Sequence, residues 1–215
     1  MKRGDLLLYS PDELAAPGND VREPDASALA TTYGWARRYL CSPHPELGRR
    51  GPVCPYTRSS LDNRLFFMSS VRHEHHQTGA TRTVLNEFRQ WFRDLQAETS
   101  EQLRYLVTIL VILPRFDPES PAPLEALHRE MKDDFVADGL MIGQFHPRCD
   151  VPGLWNESFR PLRSPLPMLA IREMVPSDLP FLVDDHLHAD AYLRRYAPGL
   201  PSPVRQFVVD RIVGA

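Results

Sequence analysis

Residues 81–113, TRTVLNEFRQWFRDLQAETSEQLRYLVTILVIL, are the stretch that decides the fold class. In 81–98 the apolar residues recur every three or four positions, which predicts an amphipathic helix with one buried face. These residues are Val84, Leu85, Phe88, Trp91, Phe92 and Leu95. In 104–113 a β-branched run ends at Pro114 and predicts a buried strand. A long amphipathic helix followed by a buried strand indicates a domain that mixes both element types.

Similar patterns extend outward in both directions from this stretch. They predict helices at 25–40, 121–138, 188–196 and 203–213, and strands at 65–71, 140–146 and 167–174. Gly139 is expected to end the second long helix, and Ser177 to act as an N-cap. The matched periodicities predict one contiguous core, formed by Phe88, Trp91, Leu95, Val107, Ile109, Val111, Phe135, Met141, Leu169 and Ile171.

The strands and helices alternate in the middle of the chain, but the last two strands are joined by an irregular segment. We therefore expect an α+β fold, with helices packed on one face of a mainly antiparallel sheet in a two-layer arrangement. The 215 residues form a single domain in this prediction, with 1–24 as an N-terminal arm that need not be regular.

Composition excludes several classes of protein. Apolar residues make up 42% and charged residues 25%, close to the globular average, so the chain is not disordered. The net charge of −3 and pI of about 6.2 argue against a nucleic-acid partner. The longest apolar run, 106–113, is too short to span a membrane, and residues 1–14 lack a signal-peptide core. Three cysteines give no disulfide framework, so we expect a cytoplasmic protein.

The segment 139–173, GLMIGQFHPRCDVPGLWNESFRPLRSPLPMLAIRE, contains the main candidate site. A strand is expected to end at Phe145 and His146, and an irregular loop then returns to the next strand. Long ordered loops in compact domains are usually functional. The loop supplies Arg148, Arg160 and Arg163, whose like charges repel unless an anion lies among them. That anion is either an internal acid (Asp150, Glu157 or Glu173) or the carboxylates of a ligand, and the sequence leaves both open.

Three weaker candidates lie elsewhere. Cys54, between two prolines in GPVCPYTRSSLDNRLFFMSS (51–70), is a nucleophile, a metal ligand or a small buried residue at a turn. The cluster His73, His75 and His76 is expected to be mostly exposed and dispensable. The spacing His186-x-His188-x-Asp190 is similar to a metallohydrolase motif, but it fits the solvated start of a helix as well.

Motifs for nucleotide binding, serine hydrolysis, zinc proteolysis and covalent haem attachment are absent from the sequence. Non-covalent haem binding leaves no short motif, so it stays open.

The stretch 132–182, KDDFVADGLMIGQFHPRCDVPGLWNESFRPLRSPLPMLAIREMVPSDLPFL, resembles a family of uncharacterised bacterial proteins, common in actinobacteria and often encoded beside natural-product genes. Its FHP…N…RSP.PML..RE core also resembles a second uncharacterised bacterial family. In addition, PVCPYTRSSLDNRLFF (52–67) and FHPR (145–148) are similar to stretches of the YqcI/YcgG family, which includes haem-dependent N-hydroxylases of guanidine-bearing substrates.

The resemblance to the YqcI/YcgG family implies a haem-dependent oxidoreductase acting on a small nitrogenous metabolite. In that hypothesis His146 is the axial iron ligand, with His44 and Cys54 as fallback ligands. The three loop arginines would bind propionates or substrate, and Trp155 and Phe145 would wall the pocket.

Two alternatives stay open at this point. One is a cofactor-free enzyme or binding protein for an anionic small molecule, with Cys54 or Cys149 as nucleophile. The other is a non-catalytic partner in a biosynthetic complex. The sequence does not settle the oligomeric state, and a homodimer is compatible with each hypothesis.

Overall fold

The computed structural model describes residues 1–15, 21 and 25–213. The helices are α1 (Pro11–Ala15), α2 (Asp25–Trp35), α3 (Thr57–Asp62), α4 (Thr78–Glu98), α5 (Ala122–Ala137), α6 (His186–Tyr196) and α7 (Ser202–Val213). The strands are β1 (Lys2–Arg3), β2 (Leu6–Leu7), β3 (Phe66–Ser70), β4 (Thr108–Ile112), β5 (Leu140–Phe145) and β6 (Met168–Glu173). Each long element expected from periodicity is present, with ends shifted by a few residues.

Four strands form the central sheet in the order β3-β4-β6-β5. The β3–β4 pair is parallel, and the β4–β6 and β6–β5 pairs are antiparallel. Next to β3, the backbone of Tyr9 pairs with that of Met68 through two hydrogen bonds of 2.8 and 2.9 Å. The N-terminal segment therefore covers part of the exposed edge of β3. The α+β class and the mainly antiparallel sheet are confirmed.

The first face of the sheet carries α4 and α5 over the principal core. Nine of the ten core residues expected from the sequence lie in this one cluster, as do Leu85, Phe92 and Leu127. The exception is Met141, which packs instead with Val136 and Tyr192 in a smaller cluster. Successive residues of a strand point to opposite faces, so Met141 cannot share a face with Leu140 and Ile142, which do join the principal core.

The second face is also covered, and the expectation of helices on one face is wrong. Here α2 and the π-helical turn Ala36–Leu40 pack against the sheet, with Leu29 on Met68 and Leu110 in one buried cluster. Strand β4 explains this arrangement, because its alternate residues are apolar and buried on both sides. A strand with two apolar faces has to be covered on both.

Two local expectations also differ from the structure. The short 3₁₀ helix Pro176–Phe181 begins after Val175, so Ser177 is not its N-cap. The Asp178 carboxylate accepts a hydrogen bond from the Val175 amide (2.8 Å) and thereby fixes the start of that helix. In the N-terminal arm, 1–15 form the β1–β2 hairpin and α1, whereas 16–20 and 22–24 lie outside the described residues.

No helix among the described residues is long and apolar enough to cross a lipid bilayer.

Candidate functional site

His146 lies directly after β5 with its side chain fully buried. Its Nε2 is 3.4 Å from Oε1 of Glu125 on α5, and neither ring nitrogen has a well-aligned hydrogen-bond partner. Burial lowers the pKa of His146, and the carboxylates of Glu125 and Asp150 offset this only in part. The imidazole is therefore neutral near neutral pH. The backbone carbonyl of His146 accepts hydrogen bonds from the amides of Cys149 and Ser164, at 3.2 and 3.4 Å.

The three arginines of the predicted site are held by partners within the protein. Arg148 donates to Glu119 (2.6 Å), and Arg163 donates to Asp150 (3.0 Å) and to a backbone carbonyl. Arg160 donates to two nearby backbone carbonyls and lies 4.0 Å from Asp150. Internal acids thus balance much of the charge in this loop, which was the structural alternative considered from the sequence.

The loop packs onto the segment that follows the π-helical turn. Phe159 stacks on the His44 ring with centroids 4.5 Å apart, and the Asn156 amide donates to the Glu46 carbonyl (2.8 Å). Gly48 has φ of 77°, and a Cβ there would lie 2.6 Å from the Trp155 carbonyl oxygen. Close backbone contact therefore requires glycine at this position.

These contacts do not fit a haem bound at His146. The imidazole has no exposed surface, while Trp155 is 63% exposed. Phe145 packs edge-on against Trp35, with centroids 5.6 Å apart, in the second-face cluster. The residues expected to surround an iron-bearing ring therefore lie in three separate environments. His44 Nδ1 accepts from the Glu46 amide (3.2 Å), and its ring is occupied by Phe159.

Two of the three cysteines, Cys41 and Cys149, have thiols that burial makes less reactive. Cys149 is fully buried, and burial raises the pKa of its thiol. Burial likewise raises the pKa of Cys41, although Arg58 opposes the shift. Cys54 is half-buried, and α3 begins three residues after it. Among the described residues, no three or more His, Cys, Asp or Glu side chains are arranged to hold a metal ion.

The two histidine-rich motifs have structural roles or none. His75 and His76 are exposed, and His73 is half-buried with Nδ1 3.1 Å from the Thr81 hydroxyl. His188 is buried rather than solvated, with Nε2 2.8 Å from Asp133 on α5. Asp185 caps α6 by accepting from the Leu187 and His188 amides. The pair formed by His188 therefore joins α6 to α5.

A second cluster of arginines lines a cavity of about 270 Å³ that the sequence analysis did not identify. Arg37 comes from the π-helical turn, Arg58 from α3 and Arg64 from the residues after α3. We call this the arginine cavity. Its walls are Ser10, Pro11, Asp12, Tyr33, Arg37, Cys41, Arg58, Leu61, Asp62 and Arg64.

Two guanidinium groups of the arginine cavity form no ion pair with a carboxylate of the described residues. Arg64 pairs with Asp12 (Nε–Oδ2 3.1 Å). Arg58 donates only to the Cys41 carbonyl (3.2 Å), and Arg37 lies over the Tyr33 ring at 5.6 Å. No acid of the described chain lies within ion-pair distance of Arg37 or Arg58. The cavity wall carries three arginines against two aspartates, Asp12 and Asp62, so it presents net positive charge that is available to a ligand.

Two backbone irregularities occur beside this cavity. The π-helical turn adds a residue to the helix that carries Arg37, and such turns are frequent at functional sites. Arg64 has φ of 60°, and no other non-glycine residue of the described chain has a positive φ. Strained backbone in a non-glycine residue often marks a functional position.

Sequence reasoning missed the arginine cavity for a physical reason. Arg37 lies near the C-terminal end of the helix predicted at 25–40, where a basic residue is favourable without any ligand, and Arg58 and Arg64 occur in no recognisable motif. The three side chains belong to different elements and meet only through packing. The excess of arginine over lysine was the one available indication, and it gives no positions.

Comparison with known proteins identifies a family but no activity. No curated protein and no solved structure matches the chain. One family model does match, over residues 29–207, which include the predicted loop and Arg37, Arg58 and Arg64. The match spans most of the chain and all the strands of the central sheet. The protein therefore belongs to the family described as "Domain of unknown function (DUF6875)".

Proposed function

We propose that the protein binds a small anionic metabolite, bearing a carboxylate or a phosphate, in the arginine cavity. One observation carries this proposal: Arg37 and Arg58 both line the cavity, and neither has a carboxylate partner in the part of the chain that the structure describes. Asp12 and Asp62 line the same cavity, but neither lies within ion-pair distance of these two arginines.

Electrostatics favours an anion at this point. Like charges that share a cavity repel, and a bound anion converts that repulsion into charge-assisted hydrogen bonds. Guanidinium groups match the planar geometry of carboxylates and phosphates in bidentate fashion. Binding should therefore weaken as the salt concentration rises, because the cavity is open to solvent.

The dimensions of the cavity limit the ligand. A volume of about 270 Å³ lies just below the roughly 300–1,000 Å³ of pockets that hold drug-sized molecules. A ligand the size of a dicarboxylic acid or a sugar phosphate fits this space better than a nucleotide or a haem. The Tyr33 ring offers an apolar wall for the ligand's carbon skeleton.

Binding is supported better than covalent catalysis. Cys41 is the one thiol on the cavity wall, and burial raises its pKa, so it stays protonated at neutral pH. A protonated, buried thiol is a poor nucleophile. The proposal is therefore for a binding site. We place the protein in the cytoplasm on its cysteine content, and in small-molecule biosynthesis on the resemblance of its sequence.

Isothermal titration calorimetry with inorganic phosphate and with malonate tests the proposal. We expect saturable binding of at least one of the two at low ionic strength. The variants Arg37→Gln and Arg58→Gln should each weaken it about tenfold or more, since a hydrogen bond to a charged group contributes roughly 1.5–3 kcal/mol.

Arg148→Gln is the matched control, because it removes the same charge from an arginine that Glu119 already pairs. It should leave the affinity within about twofold of the parent protein. If Arg148→Gln abolishes binding while Arg37→Gln does not, the ligand site lies in the predicted loop instead. If neither anion binds, the proposal fails.

A further inference from the structure

Cys41 and Cys54 lie opposite each other on two paired stretches of backbone. The Cys54 amide donates to the Leu40 carbonyl and the Val53 amide donates to the Ser42 carbonyl, both at 2.9 Å. These two bonds bracket Cys41. An antiparallel bridge between Pro43 and Pro52 continues the pairing of Ser42 with Val53, while Cys41 itself ends the π-helical turn with φ of −85°.

This pairing places the two residues at a separation that suits a disulfide. Facing residues of paired backbone segments have Cα atoms about 4.5–5.5 Å apart. Disulfides need Cα atoms about 4.4–6.8 Å apart. The two thiols are also close enough that the charge of Cys54 adds to the raised pKa of Cys41, after burial as the larger cause.

We propose that Cys41 and Cys54 form a reversible intramolecular disulfide when the protein meets a peroxide. Both cysteines are free thiols in the structure. The third cysteine, Cys149, is buried in the loop after β5, apart from this pair, and takes no part.

Exposure sets the order of the two chemical steps. Cys54 is half-buried and therefore accessible, so its thiolate attacks hydrogen peroxide, the O–O bond breaks, and a sulfenic acid forms as hydroxide leaves. That hydroxide takes the Cys41 proton, the resulting Cys41 thiolate attacks the Cys54 sulfur, and the sulfenic oxygen leaves as a second hydroxide, which is protonated to water. Two thiols are oxidised and one peroxide is reduced to two waters. A dithiol such as dithiothreitol reverses the reaction by exchange.

The disulfide would also act on the arginine cavity, and this consequence rests on the proposed function. Cys41 forms part of the cavity wall, and its carbonyl holds Arg58. A covalent bond to Cys54 would fix the π-helical turn relative to α3, the helix that carries Arg58. We expect the oxidised and reduced proteins to differ in affinity for the anion.

Peptide mapping tests the disulfide without any reference to function. Trypsin cuts after Arg49 and Arg50, so it separates YLCSPHPELGR (39–49) from GPVCPYTR (51–58), whereas Cys149 appears in a third peptide. After treatment of the folded protein with hydrogen peroxide, we expect the first two peptides as one linked species, 2 Da lighter than their sum. Dithiothreitol should separate them.

Three variants serve as controls. Cys149→Ser should form the link as the parent protein does, and Cys41→Ser and Cys54→Ser should not form it. The oxidised parent protein should also melt several degrees higher than the reduced one, because the link closes a loop of about 14 residues in the unfolded chain. Cys54→Ser should show no such shift.

The proposal is overturned if peroxide converts Cys54 to a sulfinic acid with no linked peptide, or if Cys149 appears in the linked species as often as Cys41. Calorimetric titration with phosphate before and after oxidation tests the regulatory consequence alone. If the linked protein binds phosphate with unchanged affinity, the disulfide itself is supported, but its effect on the arginine cavity is refuted.

Discussion

Replacing His146 by leucine is expected to make the protein less sensitive to acid. Burial lowers the pKa of His146, and it also lowers the pKa of His128, whose Nε2 contacts the Ile142 carbonyl at 3.0 Å. In the unfolded chain both side chains take up a proton below about pH 6.5. In the folded protein they stay neutral to a lower pH. Between about pH 6.5 and the lowered folded-state pKa, the unfolded state therefore binds more protons than the folded state.

The sign of the effect follows from this difference. Stability from the neutral, buried imidazoles is fully present above about pH 6.5 and is lost as the pH falls toward the depressed folded-state values. Each group lowers the free energy of unfolding by at most about 1.4 kcal/mol per pH unit in that range. The two histidines together account for up to about 2.8 kcal/mol per unit, and His146→Leu should remove about half of it.

Urea denaturation followed by circular dichroism, at pH 7.0 and at three values down to 5.5, measures this slope. His75→Leu is the matched control, because His75 is exposed and should leave the slope unchanged. A His146→Leu protein that keeps the full parent slope would show that His146 is not buried as a neutral side chain. The structural explanation of the loop would then be refuted.

Three further outcomes are expected. Asp178→Ala should lower the free energy of unfolding by about 3–5 kcal/mol, because it leaves the Arg172 guanidinium without its bidentate partner. Asp184→Ala, in an exposed ion pair, should cost about 1 kcal/mol or less in the same urea titration. Gly48→Ala should destabilise the protein by more than about 1 kcal/mol, while Gly79→Ala, in α4 with open space around it, should be neutral or stabilising by up to about 1 kcal/mol. The protein expressed with a haem precursor should show no haem absorption band in its visible spectrum, and a stoichiometric band would contradict the packing described around His146.

Much of the fold was predictable because the long elements have strong periodicity. The stripe through Phe88, Trp91 and Leu95 fixed the buried face of α4, and the apolar run at 106–113 fixed β4. The run at 106–113 also implies packing on both sides of the sheet, because a strand that is apolar on both faces must be buried on both. The helices on the second face follow from it, although the sequence analysis assigned them to one face.

The candidate site was predicted less well, because its ion pairs join residues that are far apart in sequence. The loop after β5 was correctly identified as irregular and rich in arginine, but no local pattern shows that Glu119 and Asp150 would pair with those arginines. The unpaired guanidiniums of Arg37 and Arg58 belong to two elements about twenty residues apart. Ion pairing depends on the final positions of long side chains, which sequence spacing does not encode.

By itself the sequence determined the α+β class, the presence and approximate position of the major elements, and nine of ten predicted residues of the principal core. These properties depend on residues a few positions apart, where helix and strand geometry fixes which side chains share a face. Only the tertiary structure decided which charges are neutralised, which histidine is buried and which cysteines are opposed. Those properties depend on contacts between elements distant in sequence, and a displacement of a few ångströms separates a neutralised arginine from one available to a ligand.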